Sequence, residues 1–241
     1  METIQVRGVT FGAGKMKICV PVCAKTLSEA LEAIGEIHTT PVDLIEWRLD
    51  YFEEDILSAA KAVLDAADPL PVLCTFRTKA EGGEREIASE DYFALNEALG
   101  TLGAPMLDLE LMLCRAHEER ARQAIDALHE KGAVLVLSNH DFEKTPPRAV
   151  LVERYAQMRD LNADLPKIAV MPQSQRDVMV LLSAMTEASA GGAPLIGISM
   201  GELGKVTRVR GGAFGSVMTF ASKGKASAPG QIDAETLASM L

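Results

Sequence analysis

The sequence is short of the residues and patterns that announce metal, disulfide, cofactor and membrane chemistry. Its four cysteines (Cys19, Cys23, Cys74 and Cys114) sit inside apolar runs with no C-x-x-C pair, so reduced core thiols are expected. Its four histidines (His38, His117, His129 and His140) form no H-x-H or H-E-x-x-H pair, which removes the usual zinc signatures. No G-x-S-x-G elbow offers a serine nucleophile, and Pro21-Val22-Cys23-Ala24-Lys25 is not the glycine turn of a dinucleotide site. The only long, nearly uncharged stretch, Val178 to Met200, is broken by Ser183, Thr186, Glu187, Ser189 and a Gly191-Gly192-Ala193-Pro194 turn, so no membrane span is expected. The opening Met1-Glu2-Thr3-Ile4-Gln5-Val6-Arg7 lacks the layout of a signal peptide, which suits a cytoplasmic protein. Basic charge is also scarce: a formal net charge of -10 with no basic stripe argues against a nucleic-acid partner, though not against a small anionic substrate.

What is present is the composition of an ordinary globular chain, 48% apolar and 24% charged over 241 residues, enough for one large α/β domain spanning 1–241. Short apolar runs predict strands at Lys17–Val22, Val42–Leu49, Val72–Arg77, Met106–Glu110, Val134–His140, Lys167–Met171, Leu195–Met200 and Val217–Phe220. Between them, amphipathic stretches predict helices at Leu27–Ile37, Glu54–Ala67, Asp91–Leu99, Met112–Lys131, Arg148–Leu161 and Gln175–Ala188. Eight strands alternating with helices suggest a closed (β/α)8 TIM barrel, with an open doubly wound sheet as the alternative. Thr3–Arg7 alternates and Gly8 offers a turn, which predicts a short N-terminal β-hairpin closing one end of the barrel. The segment Ala221–Gly230, rich in Ser, Lys, Gly and Ala, reads as the most flexible.

Strand alternation then sorts the polar residues. Side chains two apart share a face, and the outward face of a barrel strand is apolar because helices cover it. With Ile45, Trp47 and Leu49 outward, Glu46 and Arg48 fall inside; with Val72, Cys74 and Phe76 outward, so does Arg77. The same rule turns Asp108, Glu110, Ser138, His140 and Lys167 inward. Burying such groups costs several kcal/mol each unless they are paired, roughly the range for unpartnered polar atoms. Any one of them has a bland reading, Asp108 or Glu110 neutralising an arginine, or Lys167 paired with Glu110. The whole set reads as an active site.

An interior lysine, a histidine ending a strand and several arginines permit one chemistry in particular. A lysine desolvated near Arg48 and Arg77 is expected to give up its proton and attack a ketone. The iminium so formed acidifies the neighbouring carbon, whose proton His140 removes before a hydroxyl one carbon further on departs. The arginines would take a carboxylate or phosphate. Lys167 is expected at the start of its strand, with its stem running up the lumen past the small Ala169.

At these residues the sequence resembles the type I 3-dehydroquinate dehydratases of the shikimate pathway. The matching stretches are Asp43-Leu44-Ile45-Glu46-Trp47-Arg48-Leu49-Asp50, Thr75-Phe76-Arg77-Thr78-Lys79-Ala80-Glu81-Gly82-Gly83, Ser138-Asn139-His140-Asp141-Phe142, Lys167-Ile168-Ala169-Val170-Met171-Pro172, Phe214-Gly215-Ser216 and Ser227-Ala228-Pro229-Gly230-Gln231. The resemblance implies a hydro-lyase that converts 3-dehydroquinate to 3-dehydroshikimate, with Lys167 forming the Schiff base and His140 acting as general acid and base. It further implies that Glu81 orients or charge-balances His140 and that Arg208 pairs with the substrate carboxylate. Glu46, Arg48 and Arg77 would bind ring hydroxyls, Met200 would pack on the ring, and Ser227 and Gln231 would belong to a loop closing over it. No cofactor, no metal and a homodimer are implied as well. Two positions depart from the family's pattern, Thr207 where serine is expected before Arg208 and Asn139 where tyrosine or another residue is commoner, and neither is expected to touch the chemistry. Two rivals are a phosphate-binding Schiff-base aldolase and a catalytically silent barrel that only binds.

Overall fold

Alternating apolar runs rich in Val, Ile and Leu make strands because a half-buried pleat suits them, and here every such run finds a parallel neighbour. The computed structural model describes residues 2–224 and 226–241. An antiparallel hairpin, β1 (Ile4–Val6) and β2 (Val9–Phe11), precedes eight barrel strands. These are β3 (Lys17–Val22), β4 (Leu44–Arg48), β5 (Val72–Thr75), β6 (Met106–Glu110), β7 (Val134–Asp141), β8 (Leu165–Val170), β9 (Ile196–Ser199) and β10 (Met218–Ser222). Together with the two-residue β11 (Ile232–Asp233) they form a parallel sheet in the order β11-β10-β3-β4-β5-β6-β7-β8-β9. A bridge between Leu195 and Ser216, with the Val217 amide donating to the Leu195 carbonyl at 2.9 Å, joins the last barrel strands. The sheet is the expected (β/α)8 barrel, closed at the N-terminal end of the β9–β10 seam.

The helices are α1 (Leu27–Ile37), α2 (Ile56–Ala67), α3 (Ser89–Thr101), α4 (Leu111–Ala116), α5 (Glu118–Glu130), α6 (Arg148–Asp160), α7 (Gln175–Ala188), α8 (Lys205–Arg210) and α9 (Ala234–Met240). Their starts carry caps that satisfy free amides: Thr26 accepts from Glu29, Asp55 from Ser58, and Ser174 forms a reciprocal capping box with Asp177. The expected helix Met112–Lys131 is two helices, broken where His117 leaves helical geometry (φ -132, ψ 51). The short α8, α9 and β11 lie below the length at which apolar periodicity can be read. The strand expected from Lys167 begins at Leu165, so Lys167 is its third residue. Pro166, which lacks an N–H to donate, is nevertheless held in the ladder opposite Leu137.

Two apolar regions result. Outward residues such as Trp47, Leu109, Leu137 and Ile168 meet the helices, while Cys19, Leu44, Leu73, Met106, Val136, Leu165, Ile196 and Met218 fill the lower lumen. Val6 and Phe11 of the hairpin pack into that lower cluster, so the hairpin stoppers the barrel as the alternation and Gly8 suggest. The inward positions two residues further on are Glu46, Thr75, Asp108, Ser138 and Lys167; the next are Arg48, Arg77, Glu110, His140 and Ala169. An apolar floor therefore supports a charged middle and a charged rim. Phe11→Ala removes a fully buried ring from that floor. It should lower the unfolding free energy by about 3–5 kcal/mol, as large-to-small core substitutions do, read from urea denaturation; a loss below about 1 kcal/mol would mean that the hairpin does not seal the barrel.

Candidate active site

Charge in the lumen is nearly balanced. The buried charged residues among those described are the acids Glu46, Asp50, Glu81, Asp108 and Glu110 and the cations Arg48, Arg77, Lys167 and Arg208. Lys167 rises from the middle of β8, with Ser138 as its neighbour on β7 and His140 one pleat higher, beside Ala169. Its Nζ lies 3.4 Å from Asp108 Oδ2, 3.9 Å from Glu46 Oε1 and 4.5 Å from the centre of the Phe220 ring. These partners correct two expectations. The nearest charges to the amine are carboxylates, not Arg48 and Arg77, and Glu110 is engaged elsewhere.

Both arginines are tied to acids of their own. Arg48 makes a two-pronged pair with Asp50 at 2.8 Å through Nε and one terminal nitrogen, leaving the other terminal nitrogen for the pocket. Arg77 donates to Asp108 at 2.7 Å and to Glu110 at 2.9 Å. Burial opposes ionisation of Asp108, but Arg77, Lys167 and the Ser138 hydroxyl outweigh it and hold the carboxyl below its ordinary value. The ammonium of Lys167 thus faces an anion. Glu46 accepts from Thr75 at 3.0 Å and lines the pocket.

His140 lies one residue before the end of β7, and its Nδ1 is 2.9 Å from Glu81 Oε2, which also accepts the His140 amide at 2.9 Å. Glu81 reaches this place because the chain turns back after β5. Gly82 (φ +85) lies under Phe142, and a Cβ on Gly83 would stand 1.9 Å from the Arg77 carbonyl. Burial, and then the positive charges of Arg77, Lys167 and Arg48, hold the imidazole well below its ordinary pKa. Burial, with Glu110 adding to it, pushes the Glu81 carboxyl up to about 8 against the pull of Arg77, Asn139 and the His140 amide. With the first proton of the pair on Nδ1, Nε2 is a free base. When the pair holds a second proton, Nε2 is protonated whether Glu81 is neutral or the ring is an imidazolium. The pair is one acid–base unit whose outer atom is Nε2.

Arg208 comes from α8 rather than from a strand, entering above the closed part of the β9–β10 seam. It donates to the Phe220 carbonyl at 3.1 Å and to the Pro229 carbonyl at 3.0 Å, and its Nε has no partner. Burial lowers its pKa to about 10. Among the described residues it is the one buried cation with no carboxylate within 4.0 Å. Thr207 before it bonds the Gly204 carbonyl and the Ser199 amide, which steadies α8. Ser227 and Gln231 clasp each other at 3.0 Å over the pocket, and Gly230 rests on the Gly201 backbone. Of the segment expected to be flexible, 221–222 belongs to β10 and 226–230 forms turns, while Lys225 lies outside the described residues. Met200, Ser227 and Gln231 line the same pocket as Lys167, His140 and Arg208. No group of His, Cys, Asp and Glu suited to a metal ion occurs among the described residues, and none of their helices is long and apolar enough to cross a membrane.

The profile of the type I 3-dehydroquinase family matches residues 18–241. The chain belongs to the type I 3-dehydroquinase family. The 3-dehydroquinate dehydratase of Syntrophotalea carbinolica is 44% identical over 250 residues, covering 100% of this chain and 97% of that one. Its counterpart in Klebsiella pneumoniae is 44% identical over 96% of this chain and 94% of its own. Among solved structures, the type I 3-dehydroquinate dehydratase of Clostridium difficile with covalently modified comenic acid superposes with a TM-score of 0.94 at 36% identity, covering 99% of this chain and 96% of that one. A 3-hexulose-6-phosphate synthase, at 19% identity and a TM-score of 0.64, shares the fold alone.

All ten residues singled out from the type I 3-dehydroquinase resemblance, Glu46, Arg48, Arg77, Glu81, His140, Lys167, Met200, Arg208, Ser227 and Gln231, line one pocket. Sequence reasoning missed Phe220, whose ring faces the lysine, and Asp50, which steers Arg48. Phe220 was legible as an inward residue of its strand; Asp50 lies just past a strand end, where alternation stops. The Glu81–His140 pair yields a titration that nitrogen NMR of the ring can read. Nε2 should carry a proton whenever the pair holds its second one, so its titration should follow the Glu81 carboxyl, which burial pushes up to about 8. In Glu81→Gln the midpoint should fall, because the raised carboxyl is gone while the positive charges remain. An unchanged midpoint would dissociate Glu81 from the ring.

Proposed function

We propose that the chain dehydrates 3-dehydroquinate to 3-dehydroshikimate through an iminium on Lys167, with His140 as general base and then general acid. The observation that carries this is a buried, carboxylate-free guanidinium, Arg208, in one pocket with a buried lysine and a carboxylate-held histidine. An arginine left unpaired inside a barrel calls for an anion from outside. A lysine beside it calls for a carbonyl. A small ketone bearing a carboxylate supplies both. Family membership selects the substrate, and the covalently modified comenic acid in a relative's structure is in keeping with covalent chemistry in this fold.

The substrate carboxylate pairs with Arg208, and ring hydroxyls meet Glu46, Arg48 and Arg77, with Met200 against the ring. Lys167 passes a proton to a neighbouring acceptor, and its amine adds to the C3 ketone; loss of water leaves the iminium. Glu81 keeps the free Nε2 of His140 ready to take the C2 proton, and the electrons of that bond flow into the iminium to form an enamine. The enamine expels the C1 hydroxyl as His140 returns its proton, so a second water leaves. One water then hydrolyses the conjugated imine, freeing product and Lys167, for a net loss of one water. Ser227 and Gln231 close over the bound ring. The same reading expects a cytoplasmic homodimer acting without metal or cofactor, and one domain spanning 1–241.

Turnover is followed by the ultraviolet absorbance of the conjugated product. Lys167→Ala should lose nearly all activity, and His140→Ala about 10²–10⁴-fold of kcat, the span of general acid–base catalysis. Arg208→Leu should raise KM for the carboxylate-bearing substrate at least about tenfold, the loss of one charge-assisted pair. Wild-type protein without turnover, or Lys167→Ala at more than a tenth of wild-type activity, would overturn the reading.

A further inference from the structure

On β7 the outward face should be apolar, and Leu135 and Leu137 obey that rule. Asn139, next on the same face, breaks it although it is only 3% exposed. Burying an amide is unfavourable unless its donor and acceptor ends are both met, and here they are. Its Nδ2 donates to Glu81 Oε1 at 2.9 Å, and its Oδ1 accepts from Arg154 at 2.7 Å. Arg154 is a half-buried residue of α6, one position before the buried Tyr155 and outside the pocket lining. An unbroken chain of hydrogen bonds therefore runs from the flank of a helix through Asn139 and Glu81 to the ring of His140.

The two ends of an asparagine amide have nearly the same shape, so packing alone does not decide which faces Glu81. A guanidinium only donates. Its presence fixes Oδ1 toward α6 and forces Nδ2 toward the carboxylate, and its charge polarises the amide so that the second bond strengthens. With the amide reversed, oxygen would face oxygen at Glu81.

We propose that Arg154 is a positioning residue that acts through Asn139 to favour the carboxylate form of Glu81, and with it the form of the pair in which His140 Nε2 is free to act as a base. The proposal rests on the dehydratase reading for its effect on rate, but the link itself is a property of the free protein. The other titratable groups that bear on the pair are Arg77 after β5 at 3.7 Å from Glu81, Glu110 on β6, Lys167 on β8, Arg48 on β4 and the Cys114 thiol on α4. The side-chain hydrogen bonds of Asn139 go to Glu81 and Arg154 and to none of these other groups.

The test is Arg154→Met, Arg154→Lys, Asn139→Ala and the double variant Arg154→Met/Asn139→Ala, each checked for a wild-type thermal transition. In Arg154→Met the acid side of the kcat profile should move up by about half to one pH unit, with kcat at pH 7 down about three- to tenfold, one unit being tenfold, and KM unchanged. Arg154→Lys, which still donates to Oδ1, should recover most of the loss. The double variant should be no worse than Asn139→Ala alone, because an effect passed through Asn139 cannot add to its removal. A wild-type profile in Arg154→Met, or losses that multiply in the double variant, would overturn the proposal. The Nε2 titration of substrate-free protein, read by ring-nitrogen NMR, separates the two ideas. An upward shift in Arg154→Met supports the link even if dehydroquinate proves not to be the substrate, and an unshifted titration defeats the link even if it is.

Discussion

An ammonium in the middle of a barrel must have a counter-charge, and the 3.4 Å contact between Lys167 Nζ and Asp108 Oδ2 is where the organisation of this lumen begins. Asp108 is itself fully buried and needs more than a lysine at that distance, so it also takes Arg77 at 2.7 Å and the Ser138 hydroxyl at 2.7 Å. Arg77 has donors to spare and gives one to Glu110. Glu110 in turn accepts the amide and the hydroxyl of Thr78 at 2.8 and 2.7 Å. That grip fixes the start of the turn carrying Glu81 to His140. One buried charge at the centre thus determines, step by step, where the acid–base pair stands at the rim.

The same arrangement explains why the charge in the pocket is poised. Lys167 has Asp108 and Glu46 beside it, and the proposed reaction calls for its amine. In the proposed reaction the lysine gives up its proton, its amine adds to the ketone, and loss of water returns a positive charge as an iminium in the same place. The proposed iminium is also a cation, so on that reading Asp108 and Glu46 would face a positive charge in the intermediate as well. Stabilisation that survives into the cationic intermediate is what catalysis requires of a fixed electrostatic environment. Phe220, whose ring lies 4.5 Å from Nζ, favours a cation in both states.

How much of this was legible in the sequence depended on where each residue sits. Strand alternation alone placed Glu46, Arg48, Arg77, Asp108, Glu110, His140 and Lys167 in one interior, because period two leaves only two choices and the apolar neighbours decide between them. Arg208 could not be found that way, since it reaches the lumen from the six-residue α8. Glu81 lies in a three-residue turn, where no periodicity operates; only the motif around Gly82 and Gly83 marked it. The partner of Lys167 was misjudged for a geometric reason. With Leu165 and Pro166 included in β8, Lys167 stands one pleat above the floor instead of at the start of its strand, level with the middle layer. There its neighbours are the middle-layer acids rather than the rim arginines. In the sequence Asn139 is only a departure from the family's pattern, and its bond to Arg154 appears only once α6 is set beside it.

The central claim is that Lys167 becomes covalently attached to the substrate. Its most direct test is borohydride reduction of the wild-type protein mixed with 3-dehydroquinate, followed by intact mass and peptide mapping. The account predicts one stable substrate-derived adduct per chain, on Lys167 alone. A folded protein that dehydrates the substrate yet carries no adduct, or carries it on another lysine, would contradict it.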